Sequence, residues 1–473
     1  MFTTAELFGR FHSPRKRLRQ ELARTPQELE LLFGSCLPAG LLSQTDEGRN
    51  SRDRVYSVRV TFWTFLWQVL TPGASCRSAV RKVMAGFAFL GLPKVSQDDS
   101  PYCQARQRLN RPTLERALHA SAQAAEQRVC QPWRFHGREV IVGDGTTCSA
   151  PDTTANQRAF PQSANQAPGC GFPLIKWVAL FSLASGALLE VQLGNKHKSE
   201  LALFRKIWDR LKAGMIYLAD RGFCDFFSLA QLRQRGVDTV LRLNAARSVD
   251  FRFGKRLGPH DRLVQWQKPS VKPVTATKKL WRRLPQEITV RIVRHPVLIA
   301  GFRPRFIILA TTLLDPVAYP AADLATLYLR RWRVELFLRD LKTTLQLEVL
   351  SCKTPAMLYR ELLMHLIGYN FNRALMAEAA SIHYVELERI SFKGTLDTVR
   401  HFSLAIAKTR TRRQRCQLIN EMLAALVADQ VPDRPHRIEP RNRKRRPKEF
   451  PVLVKPRRLW RAQFLKTRKN RKP

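Results

Sequence analysis

Apolar residues recur at helical spacing through the first 130 or so positions, as in PQELELLFGSCL and the aromatic-rich VTFWTFLWQVL, which predicts an internally packed helical region. Within it, SPYCQARQRLNRPTLERAL reads as two short helices. Ser100 caps the first, with Pro101 at its first position, and Asn110 to Pro112 break it before the second begins. This is a helix-turn-helix pattern, although an unspecific one. Its Arg106 and Arg108 are candidates for groove or phosphate contacts, or else exposed solubilising charges.

From Arg138 the period changes. EVIVGDG predicts a strand ending in an acidic turn, and PLIKWVALFSL and ALLEVQL form a hairpin around Ser185 and Gly186. SELALFRKIWDRL is helical, AGMIYLAD is a strand ending in an acid, FFSLAQLRQRG is a helix stopped by Gly236, and VDTVLRL is again a strand. Strands alternating with helices predict an α/β sheet. Residues 245–303 interrupt the rhythm with basic, Pro-containing, β-like runs such as EITVRIVRH. RFIILATTLL resumes a buried strand, one long helix runs on from about Pro320, and a helix around ELLMHLIGYNFNRALM is expected to pack on the sheet.

The expected layout is a helical, DNA-binding domain over 1–130, then an α/β core in two parts, 131–244 and 304–430, around a β-rich insertion at 245–303. A basic, flexible tail over 431–473 completes it. No internal repeat is visible.

Composition narrows the function. The 473 residues, 44% of them hydrophobic, suffice for about two to four domains with a substantial core. With 81 Lys plus Arg against 38 Asp plus Glu, the formal charge is +43, which calls for a polyanionic partner. The longest apolar stretch, Val178 to Leu189, ends at Glu190 and follows Lys176, so no membrane-spanning helix is expected. The N-terminus has no secretory character, and the nine cysteines form no C-x-x-C pair. Reduced thiols in the cytosol are the expectation.

Candidate chemistry sits on three acids. Asp144 in VGDGTT and Asp220 in YLADRGF fall at predicted strand ends, where α/β sheets present ligands. Taken singly, each is also an ordinary turn or cap residue, the more so at Asp144, because Asp before Gly favours turns. On the long helix, Tyr328, Arg331, Glu335 and Lys342 lie at offsets of 3, 7 and 14. At about 100° per residue these four share one face within about 60° of arc. Trp332 and Arg339 project toward the same side. A salt-bridged solvent face is the alternative reading.

The spacing of Tyr328, Arg331, Glu335 and Lys342 resembles the Y-R-E-K signature of a major group of bacterial insertion-sequence transposases of the DDE type. It follows Asp-Gly-Thr-Thr and Asp-Arg-Gly-Phe, which resemble that group's first and second acid motifs, and SPYCQARQRL resembles the segment preceding its catalytic domain. The likeness runs over about residues 95 to 375. It implies a ribonuclease H-like catalytic core interrupted by a β-rich insertion, with a helical N-terminal domain and a basic C-terminal tail.

The same resemblance implies metal-dependent cleavage at insertion-sequence ends and strand transfer into target DNA. Asp144, Asp220 and Glu335 would be both the catalytic residues and the ligands of two Mg²⁺ ions, with Mn²⁺ able to substitute, and Asp144 bridging. Tyr328, Arg331, Trp332 and Lys342 would contact DNA, Arg331 and Lys342 through phosphates and Trp332 by stacking on a displaced base. For Tyr328 and Trp332 buried packing is the competing reading. His197 and Arg221 lie close in sequence to the acid motifs but read as a loop histidine and a charge-balancing arginine. The implied partners are terminal inverted repeats, target DNA and a second copy of the chain in a synaptic homodimer. Two rivals use the same residues differently: a ribonuclease H-like nuclease or resolvase without strand transfer, and an inactive DNA-binding derivative.

Overall fold

A computed structural model describes residues 28–43, 55–89, 91–244, 246–274, 276–297, 306–432 and 451–469. The elements, in chain order, begin with helices α1 (Glu28–Phe33), α2 (Val58–Leu70), α3 (Cys76–Phe89), α4 (Ser100–Arg108) and α5 (Arg111–Glu126). Strand β1 (Val140–Ser149), helix α6 (Thr154–Ala159), strands β2 (Leu174–Ser182) and β3 (Leu188–Gly194), and helix α7 (Glu200–Phe204) follow. Next come β4 (Ile216–Ala219), α8 (Phe226–Gln234), β5 (Asp238–Arg242), β6 (Lys255–Gly258), β7 (Asp261–Gln267), α9 (Lys278–Arg282), β8 (Glu287–Pro296) and β9 (Phe306–Thr311). The chain then forms α10 (Ala321–Arg330), α11 (Arg333–Arg339), α12 (Pro355–Ile382), α13 (Phe392–Ala407), α14 (Arg412–Ala428) and α15 (Arg457–Lys469).

These elements divide into two compact units, Met1–Ala125 with Tyr359–Gln430, and Glu126–Leu358 with Val431–Pro473. The first unit is helical. Ser57 caps α2 by accepting the Val60 N–H at 3.3 Å, and the helix is buried nearly all round, through Phe62, Trp63, Phe65 and Leu66. Phe371 of α12 stacks on Phe33 at 4.8 Å, and a Cβ on Gly368 would come 2.9 Å from Leu70 Cδ2, so glycine lets α12 lie close to α2. The segment ELLMHLIGYNFNRALM therefore packs with the N-terminal helices, and residues 359–430, expected within the core, belong to the first unit. The reason is that α12 is apolar on every side, so its pattern gives no single face to assign.

Helices α4 and α5 occupy the places expected for the helix-turn-helix pattern, although Asp99 and not Ser100 is the N-cap. Arg106 is buried, its guanidinium lying 4.9 Å from the Phe65 ring centre and donating to Cys76 Sγ at 3.2 Å. It is an interior residue rather than a DNA contact, whereas Arg108 is exposed.

The second unit is mixed α/β around a nine-stranded sheet of order β3-β2-β1-β4-β5-β9-β8-β7-β6. Strands β1, β4 and β5 are parallel, and the remaining pairings are antiparallel. The β2–β3 hairpin turns at Gly186 with φ +72°, as its Ser-Gly sequence predicts. The expected insertion is β-rich, but β6, β7 and β8 continue the same sheet through β9. Arg291, fully buried on β8, ties them in: its Nε donates to Asp261 Oδ1 at 2.9 Å and its Nη1 to the Tyr319 carbonyl at 2.7 Å. The tail, expected to be flexible, contains α15, a helix without acidic residues whose Leu459, Trp460, Phe464 and Leu465 are exposed. No described helix is long and apolar enough to cross a membrane.

Candidate active site

The parallel pairing of β1 with β4 matches Val140 to Ile216 and Val142 to Leu218. The pairing ends there, two residues short of both acids, so Asp144 and Asp220 lie at equivalent positions just past the last paired residues of adjacent strands. The acids differ in setting. Asp220 follows the last residue of β4, but β1 does not turn at Asp144-Gly145: it runs on to Ser149, paired with β2 as far as Leu174. The expected acidic turn is thus a continuous strand, and β1 passes beyond the end of β4.

The glycines on either side of Asp144 confirm that no turn is needed, since neither has a positive φ. Each admits a close neighbour instead. A Cβ on Gly143 would collide with the Tyr217 hydroxyl, and one on Gly145 would lie 2.5 Å from Glu200 Cδ. Tyr217 is fully buried, with its ring stacked on Phe204 at 4.6 Å.

The expected long helix is broken in the middle. Between α10 and α11 the backbone tightens: Arg331 N–H donates to the Tyr328 carbonyl at 3.0 Å and Glu335 N–H to that of Trp332 at 3.1 Å, three residues back. A widened π turn, Asp340–Thr344, then carries Lys342. The one-face geometry of a straight helix therefore holds only in part. Tyr328 is buried and its hydroxyl donates to Asp220 Oδ1 at 3.3 Å. Arg331 has a largely buried side chain, approaches Glu335 Oε1 at 3.8 Å and lies 5.8 Å from the Tyr328 ring centre. Trp332 keeps 39% of its surface exposed, which sets aside full burial for this side chain. Lys342 is half-buried and makes no ion pair with the three acids among the described residues.

Electrostatics single out Asp144. Burial raises its carboxyl from 3.8 to about 6, opposed by the Gly145 N–H at 2.8 Å and by Arg331, and reinforced by the charges of Glu200 and Glu335. Burial likewise raises the Tyr328 hydroxyl, which keeps it a proton donor toward Asp220. Among the described residues no three His, Cys, Asp or Glu side chains are gathered closely enough to hold a metal ion as they stand. The donor set is nonetheless of the hard-oxygen kind that Mg²⁺ takes, and a cation would favour the ionised Asp144 that burial, and less strongly the neighbouring carboxylates, disfavour. His197 is an exposed loop residue, its backbone N–H bonded to Asn195 Oδ1 at 3.2 Å, and Arg221 opens the short turn after Asp220. Tyr217 and Glu200, the neighbours of Asp144 on its flanking glycines, belong to no motif in the sequence; the pair of glycines spaced about Asp144 in a strand is the signal of their close approach.

A family model for the transposase DDE domain matches residues 135–371. A curated relative, the transposase InsG for insertion sequence element IS4 of Escherichia coli strain K12, is 25% identical over 359 residues, covering 75% of this chain and 78% of its own. Among solved structures, the piggyBac transposase synaptic complex with hairpin DNA aligns with 85% of this chain and 86% of its own at 9% identity, with a TM-score of 0.38. The chain belongs to the DDE transposase family. It is a DNA transposase, an enzyme that cleaves DNA and transfers strands, of the insertion-sequence type.

Proposed function

We propose that Asp144, Asp220 and Glu335 are the catalytic acids of this transposase, and that they lie on a ribonuclease H-like core formed by β1 to β5 and the helices beside them. The observation that supports this reading is that Asp144 and Asp220 follow the paired residues of adjacent parallel strands at equivalent positions, while Tyr328 bonds Asp220 and Arg331 approaches Glu335. The carboxylates of Asp144, Asp220 and Glu335 would hold two Mg²⁺ ions, or Mn²⁺ in their place. When bound, such ions stabilise the charge on attacking and leaving oxygens at a phosphodiester.

The protein's own groups do the positioning. Asp144 takes up its ligand role in the ionised form, so its proton must leave first. Tyr328, by donating to Asp220, fixes the orientation of that carboxylate. Arg331 is held between the Tyr328 ring and Glu335 and presents a planar guanidinium to phosphate; Lys342 offers a point charge further along the chain. The partly exposed indole of Trp332 is suited to stack on a base at the cleavage point. The DNA bound is the element's terminal inverted repeats and the target, held by a homodimer in a synaptic complex.

The test is incubation of the purified protein with Mg²⁺, a DNA carrying the element's ends and a target plasmid. Nicking with joined product is the expected result. Nicking alone would make the protein a nuclease, and binding without either would make it an inactive module.

A further inference from the structure

The three acids do not exhaust the carboxylates at this strand edge. Glu200 lies at the start of α7, positioned by Ser199, whose Oγ accepts the Ala202 N–H at 3.2 Å. Topology explains the placement. Strand β3 runs in the same direction as β1 because both are antiparallel to β2, so the chain leaving β3 starts α7 at the edge where β1 passes Asp144. There the Glu200 carboxyl group rests over the bare backbone of Gly145, in space that any side chain at 145 would fill.

Beyond Val142 the paired register of β1 with β4 ceases, so the edge of β1 at Asp144 is not bonded to β4. Alternation along the strand sends Asp144 to one face, whereas Gly145 meets Glu200 on the other. The unpaired edge is thus approached by one carboxylate from each face, near enough for the charge of Glu200 to act on Asp144. A second, independent feature points to the same place. The Tyr217 hydroxyl is wholly buried against Gly143, close enough to feel the charge of Asp144, and meets no hydrogen-bond partner among the described residues. A buried hydroxyl left without an acceptor is costly, and one kept at a reactive strand edge calls for a ligand atom to receive it. Glu200 itself is exposed and forms no ion pair among the described residues.

We propose that Glu200 is a fourth carboxylate of the metal centre, holding, with Asp144, the divalent cation at the β1 edge, directly or through a bound water that the Tyr217 hydroxyl also meets. This rests on the reading of Asp144 as a metal ligand. Glycine at 145 then has a function: it leaves room for the two carboxylates to serve one ion.

The experiment measures Mn²⁺ binding to the full-length protein by electron paramagnetic resonance, without DNA, for the wild type, Asp144→Asn, Glu200→Gln, Glu200→Asp and Gly145→Ala. Thermal melting checks that each variant is folded. Glu200→Gln should weaken the tighter Mn²⁺ site by about 10- to 100-fold, the range seen when groups supporting a metal site are removed, with Glu200→Asp partly restoring it. Gly145→Ala, which displaces Glu200 while leaving its charge, should weaken binding in the same direction. The Mg²⁺ concentration giving half-maximal DNA cleavage should rise in parallel. Wild-type Mn²⁺ affinity in Glu200→Gln, with binding lost in Asp144→Asn, would overturn the role of Glu200 and leave the three-acid centre standing. Unchanged binding in Asp144→Asn as well would overturn the metal-ligand reading itself.

Discussion

At Asp144 a carboxyl raised to about 6 by burial makes the folded protein's response to pH run opposite to that of a salt-bridged acid. The folded state holds the proton more tightly than the unfolded chain does, so stability is greatest below the unfolded value near 3.8 and is lost as pH rises through about 6. Metal-free Asp144→Asn should therefore melt at a higher temperature than the wild type at pH 8, and the difference should vanish toward pH 4. Scanning fluorimetry in EDTA checks this, and a wild type as stable as the variant at pH 8 would contradict it. If Asp144 is a metal ligand, as proposed, cation affinity should step up over the same interval, because a carboxylate binds metal in its ionised form. At Tyr328 the phenol donates to Asp220, so Tyr328→Phe should slow cleavage by about tenfold with little change in DNA affinity. Equal losses in rate and affinity would instead mark Tyr328 as a DNA contact alone. These residues were legible from the sequence as far as their spacing reached. Glu200 was not, because only the fold brings HKSE to VGDG, and the dipeptide Asp144-Gly145 resembles a turn although its glycine serves a close approach.

Elements were legible where the apolar period was clear and less so where packing overrode it. Although β1 runs on past its expected end and SELALFRKIWDRL is helical only over Glu200–Phe204 before a short 3-10 turn at Trp208–Arg210, the strands from EVIVGDG to VDTVLRL and the Ser-Gly hairpin form where their patterns predict. The long helix after Pro320 does not, since periodicity cannot register the tightened junction at Arg331 and Trp332 or the π turn at Asp340–Thr344. Both irregularities fall among the signature residues, where departures from regular helix geometry often accompany function. Nor could composition tell that the basic segment 245–303 extends the central sheet, because that depends on β8 pairing with β9 from outside the segment. The buried Arg291–Asp261 pair holds this extension in place. Arg291→Ala should cost about 3–5 kcal/mol by leaving Asp261 without its partner. Urea unfolding followed by circular dichroism measures this, and a loss below about 1 kcal/mol would show that the pair contributes little beyond its own desolvation.

Over the whole molecule, a formal charge of +43 makes DNA affinity depend strongly on salt. The charge is not confined to the catalytic unit's acid edge: the tail carries its own cations, including those on α15. Deleting residues 434–473 should flatten the slope of log affinity against log salt by about 0.9 for each phosphate that the tail neutralises, as read from fluorescence anisotropy. An unchanged slope would place the tail away from DNA. The central claim is that cutting and joining depend on acids brought together by β1, β4 and the helix beyond Arg331. Its most direct test is Asp220→Ala, assayed with Mg²⁺, element-end DNA and target plasmid. The account predicts DNA binding as in the wild type, with cleavage and strand transfer both reduced on the order of a thousandfold or more, a loss of about 4 kcal/mol of transition-state stabilisation. Cleavage persisting near the wild-type rate in this variant would contradict it.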